Sequence, residues 1–409
     1  MSVDIRAIVM PQDSKRPLKV LQIIDTLSMG GAETWIMELL RYWHRQGEQA
    51  PRLDVLATSG NPGIFDDEAR ALGAKIFYLR YTRENLPAFI RGFRQILRDG
   101  SYDAIHDHQD YTSGVHYLWG LGCLPHIRVA HVHNPWLHKE VDYGTSQTRR
   151  LTMRMGKCLV QQLATNICGT SADILHEYGF PLQALTRPLT TVLHCGFNVG
   201  RFNGPIGPDR SSVLSEFGWD SSARIVLFAG RLDRTLEFEH PQNYKNSWLA
   251  LNVVRAAAEK DKSVCLLMAG DGVPQRQEMQ QHIESWGLTN WLRLLGVRED
   301  MPRLMRAANM LFFPSNQEGL GMVAVEAQAS GLPVLTSDAV PAAARIMPQL
   351  YRTLSVHASF SEWTDALFET LNTGRATLDA AREAVEASHF SIENSARRLV
   401  QIYSAGCQG

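Results

Sequence analysis

A chain of 409 residues with 44% hydrophobic and 20% charged residues has material for two or three packed cores, which excludes a disordered protein and one ordinary domain alike. Its formal net charge of −1 removes any global field for gathering nucleic acid, so no nucleic-acid partner is expected. Six cysteines, at 123, 158, 168, 195, 265 and 407, form no CxxC pair, which argues against a zinc ribbon or disulfide framework and points to reduced thiols in a cytosol.

The leader MSVDIRAIVMPQDSKRPLK is broken by Pro11 and lacks a cleavage-site pattern, so it reads as a frayed N-terminus rather than a signal peptide. No apolar run reaches the roughly eighteen residues a membrane-spanning helix needs. From Lys19 onward short β-branched runs alternate with helical ones. Strands are predicted at Val20–Ile24, Leu53–Ala57, Lys75–Leu79, Ala104–Asp107, Arg128–His131, Thr165–Cys168 and Thr191–His194, with helices such as Ala32–Arg45, Leu86–Arg98 and Ser171–Tyr178 between them.

The stretch FNGPIGPDR, Phe202–Arg210, holds two Pro and two Gly and reads as a linker. Beyond it the alternation restarts: strands at Arg224–Ala229, Val264–Ala269, Leu292–Leu295 and Met310–Phe313, and helices from Ser247, Pro274 and Met301. The pattern predicts an α/β protein of two doubly wound, Rossmann-like domains facing a cleft, residues 1–204 and 205–388. A terminal helix within 389–409, Phe390–Ala405, crosses back to the first domain. Ligands bind such folds beyond the carboxyl ends of the strands.

Each domain offers a glycine turn after its first strand: Gly30-Gly31 before a helix, and Gly230 followed by Arg231. Glycine lets a phosphate approach the backbone, and helix amides complete the anion site; neither turn matches GxGxxG, which disfavours a dinucleotide dehydrogenase. Taken alone, such a turn is also just a turn. His106, His108, His131 and His133 form two HxH pairs on neighbouring strands, and alternation puts each pair on one face. They read as hydrogen-bonding and packing groups, with a metal site as the alternative reading.

The run Gln147–Leu163 sets Arg150, Arg154 and Lys157 beside a stripe of Leu151, Met155, Leu159 and Leu163. A core-facing helix with a solvated basic edge and a helix lying on an anionic membrane look the same at this level. Arg231 and Lys245 are the cations expected on a diphosphate, with Arg234 between them able to share that role. The segment LFFPSNQEGLGMVAVEAQASGLPVLTSD predicts a strand, a loop, a helix starting near Gly321 and another strand, with Glu318 and Glu326 eight residues apart. The helix is apolar nearly all round, so it should be buried and Glu326 should need donors, which sugar hydroxyls would supply. A solvated Glu318, and a Glu326 satisfied by Arg or backbone amides, fit the same spacing.

With Gly30-Gly31, Arg231, Lys245 and Glu318-x7-Glu326 in place, nearly the whole chain resembles the family 4 retaining glycosyltransferases, in the branch that builds bacterial capsular and exopolysaccharides. That resemblance implies a GT-B architecture and sugar transfer from a nucleotide donor, a UDP- or GDP-sugar, to a glycan or polyprenyl-linked saccharide. It implies that Glu326 holds the donor ribose and that Glu318 with the amides of Gly319, Leu320 and Gly321 holds the hexose. Arg231 and Lys245 grip the diphosphate, His133 stabilises the reacting sugar, Gly30 and Gly31 contribute to donor binding, and the backbone of Gly296, Val297 and Arg298 meets the base. No metal or other cofactor is implied, and the enzyme would be cytoplasmic, docked on the inner membrane face through Arg150–Lys157. The chain departs from the family in the long insertion before Lys245 and in His194-Cys195-Gly196. A nucleotide-sugar epimerase of the same fold and a non-catalytic nucleotide-sugar sensor are the rival readings.

Overall fold

The computed structural model describes residues 16–405 apart from positions 83, 145, 184 and 239. The leader up to position 15 and Cys407 lie outside the described residues. The chain divides into two compact units, Met1–Phe197 with Ile392–Gly409, and Asn198–Ser391.

In the first unit the strands are β1 (Lys19–Ile24), β2 (Arg52–Ala57), β3 (Ile76–Tyr78), β4 (Ala104–Asp107), β5 (Ile127–Val132), β6 (Asn166–Gly169) and β7 (Leu189–Val192). They pair in parallel in the order β3-β2-β1-β4-β5-β6-β7. In the second they are β8 (Arg224–Ala229), β9 (Val264–Ala269), β10 (Leu292–Gly296), β11 (Met310–Phe313), β12 (Val334–Ser337) and β13 (Tyr351–Leu354), in the order β10-β9-β8-β11-β12-β13, again parallel. Runs such as VCLLMA are buried at every position, as a parallel strand covered by helices on both faces must be. Strand order reverses between β1 and β4 and between β8 and β11, so each sheet has a switch point where its carboxyl edge opens for ligand.

Helix Ile392–Ser404 belongs to the first unit. Its start is tied down by Ile392 N–H donating to Phe197 O at 3.0 Å, and Trp35 Nε1 donates to Ser395 Oγ at 3.0 Å.

Three expectations change. Half of the predicted linker is helical, since Ile206–Phe217 is a helix. Pro208 lies in its first turn, where a missing N–H costs nothing, so proline here starts a helix instead of breaking the chain. Strand β13 has no counterpart in the sequence reading, because this edge strand exposes Arg352 and Thr353 and carries little apolar signal. The helix Gln147–Leu163 does form, but it buries Met153, Gly156 and Val160, while Leu151 is 60% and Met155 53% exposed. The reason is backbone contact: a Cβ on Gly114 would lie 2.3 Å from Gly156 O, and one on Gly156 would lie 2.6 Å from Tyr111 O. A glycine-lined side lets two helices approach closely, so the side with fewer large residues is the buried one.

Candidate active site

In the second unit, the carboxyl ends of β8, β9 and β10 are brought together through glycine. Gly270, at φ +137°, would place a Cβ 1.9 Å from Gly230 O, so no side chain fits there. Gly270 N–H donates to Gly296 O at 2.8 Å, and Gly230 N–H donates to Ala269 O at 3.0 Å. The result is a backbone-lined edge beside the β8/β11 switch point.

The insertion between Arg231 and Lys245 is closed at its base by one carboxylate. Asp233 Oδ1 accepts Lys245 N–H at 2.8 Å, while Oδ2 accepts Ser247 N–H at 2.6 Å and Ser247 Oγ–H at 3.0 Å. Burial raises the Asp233 carboxyl pKa, although the amides of Lys245 and Ser247 pull it down. From the other side Asn316 stitches the loop after β11 to the same segment, donating its N–H to Tyr244 O at 2.9 Å and Nδ2 to Asn243 O at 2.8 Å. These bonds return Lys245 to Gly230, whose added Cβ would touch Lys245 Cγ at 3.5 Å. The Lys245 ammonium pairs with the Glu318 carboxylate and lies 5.4 Å from the centre of the Phe313 ring. Distance along the chain therefore does not separate the predicted pair.

Helix Met322–Ala329 begins at Gly321, which has φ +81° and would put a Cβ 2.8 Å from Val340 Cγ1. No side chain caps it, so its first amides are available to an anion. Gly319 is half-buried beside Glu318, and Leu320 is buried. The helix is not buried all round. Met322, Val323 and Glu326 form a partly exposed face, so Glu326 is not the fully buried carboxylate expected from the sequence. The fully buried polar side chain is Gln328, whose Nε2 donates to Ala324 O and Ala344 O and whose Oε1 accepts from Ile346 N–H and Met347 N–H.

Arg231 and Arg298 behave differently from Lys245. Arg231 sits exposed at the end of β8, and its guanidinium makes no hydrogen bond or ion pair among the described residues. Arg298 is committed to Asp300 at 2.8 Å and Glu216 at 3.0 Å, which leaves only its backbone, with Gly296 and the 57% exposed Val297, for the predicted base contact. The Arg298 guanidinium holds the Asp300 carboxyl down at about 2.

In the first unit, Gly30 begins helix Gly31–Gln46, and a Cβ there would lie 2.1 Å from Glu33 Oε2, so the carboxylate folds back over the turn. Burial pushes the Glu33 carboxyl up to about 7, with the Glu33 amide opposing and Asp25 adding to the rise. Near neutrality its charge is thus partly withdrawn from a turn expected to meet phosphate.

The four histidines converge. His106 and His108 stack at 4.2 Å between ring centres, His131 and His133 lie tilted at 4.1 Å, and Trp35 meets three of the rings edge-on at 5.4–6.0 Å. Nitrogens of His106, His108 and His131 lie within 4.8 Å of one another, but both nitrogens of each ring already sit in hydrogen bonds. A metal would have to displace several of those bonds, so the donor set fits the hydrogen-bonding reading better than the metal one. Asp110, at φ +53°, holds the loop that carries His133. It accepts His133 N–H at 2.8 Å and Asn134 Nδ2 at 2.9 Å, and pairs with Lys139 at 2.8 Å. Burial would raise the Asp110 carboxyl, and Lys139 together with His133 outweighs it and keeps it low.

Burial depresses all four rings, His133 down to about 4. Unfolded histidines protonate near 6.5, so below that pH the unfolded chain takes up protons the folded one refuses, and stability falls as pH drops from 6.5 toward 4. The expected loss is about 1.4 kcal/mol per pH unit for each ring that stays neutral. Urea denaturation at pH 7 and pH 5 reads it directly; equal midpoints would contradict it.

The description "Glycosyltransferase Family 4" matches residues 29–201, and "Glycosyl transferases group 1" matches residues 223–372. The chain belongs to the family 4 glycosyltransferases. Over 390 residues this glycosyltransferase is 26% identical to EpsF of Bacillus subtilis (strain 168), named as a glycosyltransferase, covering 94% of this chain and 96% of that one. It is 27% identical over 415 residues to the D-inositol 3-phosphate glycosyltransferase of Corynebacterium glutamicum (strain R), covering 94% of each. Among solved structures, Anabaena HepE in complex with UDP and glucose superimposes with a TM-score of 0.73 at 20% identity over 95% of this chain and all (100%) of its own. WaaG, described as a glycosyltransferase involved in lipopolysaccharide biosynthesis, gives 0.70 at 16% identity, covering 94% and 100%. These likenesses establish the GT-B fold of the transferase.

Sequence reading of this glycosyltransferase missed Asp233, Asn316 and Asp110. None touches a neighbour in sequence through its side chain alone; each acts by capturing backbone amides or carbonyls of a distant loop, which leaves no periodic or motif signal.

Proposed function

We propose that this glycosyltransferase moves a hexosyl group, with retention and without a metal, from a nucleotide-sugar donor to a glycan or lipid-linked saccharide during surface polysaccharide synthesis. The observation that carries this reading is the Lys245–Glu318 pair beside the uncapped start of helix Met322–Ala329 at the β8/β11 switch point. An ammonium and open helix amides suit a leaving diphosphate, and a carboxylate suits sugar hydroxyls. Glu326, on the partly exposed face, would accept from ribose hydroxyls, and Arg231 has an uncommitted guanidinium for the diphosphate. Within the first unit, taken by itself, His133 and the Gly30-Gly31 turn are the candidates for substrate contact. HepE binds UDP and UDP-glucose, which supports the same donor class here.

In this reading the donor phosphate takes the proton of the incoming hydroxyl as the glycosidic bond to the diphosphate breaks, so no carboxylate nucleophile is needed, unlike the paired carboxylates of glycosidases. A thermal-shift panel of UDP, GDP, UDP-glucose, UDP-galactose and GDP-mannose is expected to show one nucleotide series raising the melting temperature, followed by slow release of free sugar from the best binder. Binding without any sugar release would favour a sensor, and conversion of the donor without release would favour an epimerase.

No helix of the described residues is long and apolar enough to cross a membrane. We propose that the outer face of helix Gln147–Leu163, with Leu151 and Met155 exposed beside Arg150 and Arg154, rests on anionic lipid and brings the enzyme to a lipid-linked acceptor. Vesicles containing phosphatidylglycerol are expected to sediment the wild type, and Leu151→Glu with Met155→Glu to stay in the supernatant at unchanged thermal stability. Equal sedimentation of both would remove this face from consideration.

A further inference from the structure

One backbone carbonyl fixes the direction of every hydrogen bond in the histidine cluster. Leu193 O can only accept, so His131 donates Nε2–H to it, at 3.2 Å. A neutral His131 then presents a lone pair at Nδ1, which takes Nε2–H of His106 at 3.2 Å. His106 Nδ1 must accept in turn, and the group facing it at 2.6 Å is the Tyr403 hydroxyl, from helix Ile392–Ser404. With its proton committed, Tyr403 Oη can only accept, so Gln22 turns its amide nitrogen toward it at 3.3 Å. That orientation leaves Gln22 Oε1 to accept Nε2–H of His108 at 2.7 Å. His108 Nδ1 finally accepts Nε2–H of His133 at 2.9 Å. His133 Nδ1 has no partner among the described residues, and the ring is half-buried.

We infer that this chain makes His133 an Nε2–H tautomer whose Nδ1 can only accept. His133 therefore receives a hydrogen bond from a hydroxyl of bound sugar and has no proton at Nδ1 to offer a phosphate oxygen. Gln22 and Tyr403 are positioning residues that act through it. All six links lie in the first unit. Burial keeps the four rings neutral, so no extra proton frees the direction, and the edge-on Trp35 restrains the rings against rotation. Gln22 decides the sense of the second half, because an amide can serve either way round. Without the Tyr403 hydroxyl, Gln22 can flip, donate to His108 and reverse the tautomers of His108 and His133 together.

The catalytic consequence rests on the assignment of His133 as a sugar contact; the tautomer itself does not. Two-bond 1H–15N spectra of the full, ligand-free chain, with histidines assigned by His→Asn variants, are expected to show His133 protonated on Nε2 in the wild type. In Tyr403→Phe, Nδ1-protonated His133 is expected to appear, with kcat for the best donor of the nucleotide-sugar panel lowered about threefold to tenfold, the worth of one neutral hydrogen bond, and KM changed less than twofold. Gln22→Met, which breaks the same chain from the other side, should do likewise if Tyr403→Phe folds poorly. An Nδ1–H His133 in the wild type, or a wild-type tautomer in both variants, overturns the inference. A switched tautomer with unchanged kcat overturns the positioning role. His133→Ala at wild-type activity would instead remove the substrate-contact assignment, leaving the spectra to decide the tautomer.

Discussion

Lys245→Ala is expected to lower turnover about a hundredfold to a thousandfold, and Glu318→Gln by a similar factor, with both proteins folded. In the free protein the two groups neutralise each other, the carboxylate almost buried and the ammonium about one quarter exposed (side-chain exposures 8% and 26%). A diphosphate arriving beside Lys245 competes for the ammonium, and the carboxylate it releases turns to sugar hydroxyls. One substitution removes the cation that meets charge growing on the leaving group. The other leaves the cation but replaces its partner with an amide that cannot hold a hydroxyl proton as firmly. Steady-state rates on the best donor of the panel, with circular dichroism melts alongside, check both; wild-type rates in the two variants would remove this pair from the chemistry.

Asp233→Ala should damage stability and rate together. Its carboxylate accepts the buried Ser247 amide, the partly buried Lys245 amide and the Ser247 hydroxyl, and alanine leaves those donors without a partner. Each stranded donor costs about 1–3 kcal/mol, so a loss of about 2–4 kcal/mol is expected, roughly 5–15 °C in the melting of this unit. The rate should fall as well, because Lys245 N–H is one of the three groups released and the loop between residues 232 and 244 is no longer closed under the ammonium. Asp233→Asn should be nearly as harmful, since an amide turned toward two N–H groups presents a donor to one of them. A variant as stable and active as the wild type would show that the insertion is held elsewhere.

Much of the fold was readable because parallel strands covered on both faces must be apolar throughout, and VLQII, RIVLFA and MLFF could serve as little else. Local signals failed where burial was decided by contact between elements. On helix Gln147–Leu163 the conspicuous stripe of Leu151 and Met155 is exposed, while the plain side bearing Gly156 packs, because close backbone approach to Gly114 outweighed side-chain bulk. On helix Met322–Ala329 the same kind of error made Glu326 look buried and overlooked Gln328.

By itself the sequence determined the alternating α/β architecture, the family, and the residue types at the two switch points, since periodicity, glycine turns and the Glu318-x7-Glu326 spacing are written locally. Only tertiary structure decided that Lys245 meets Glu318 across 73 positions of chain, that Asp233 closes the loop leading to Lys245, and that Tyr403 reaches back to His106. Those contacts depend on which loops each sheet brings together within its own unit, and hydrogen bonds made between distant backbone and side-chain groups leave no periodic trace along the chain.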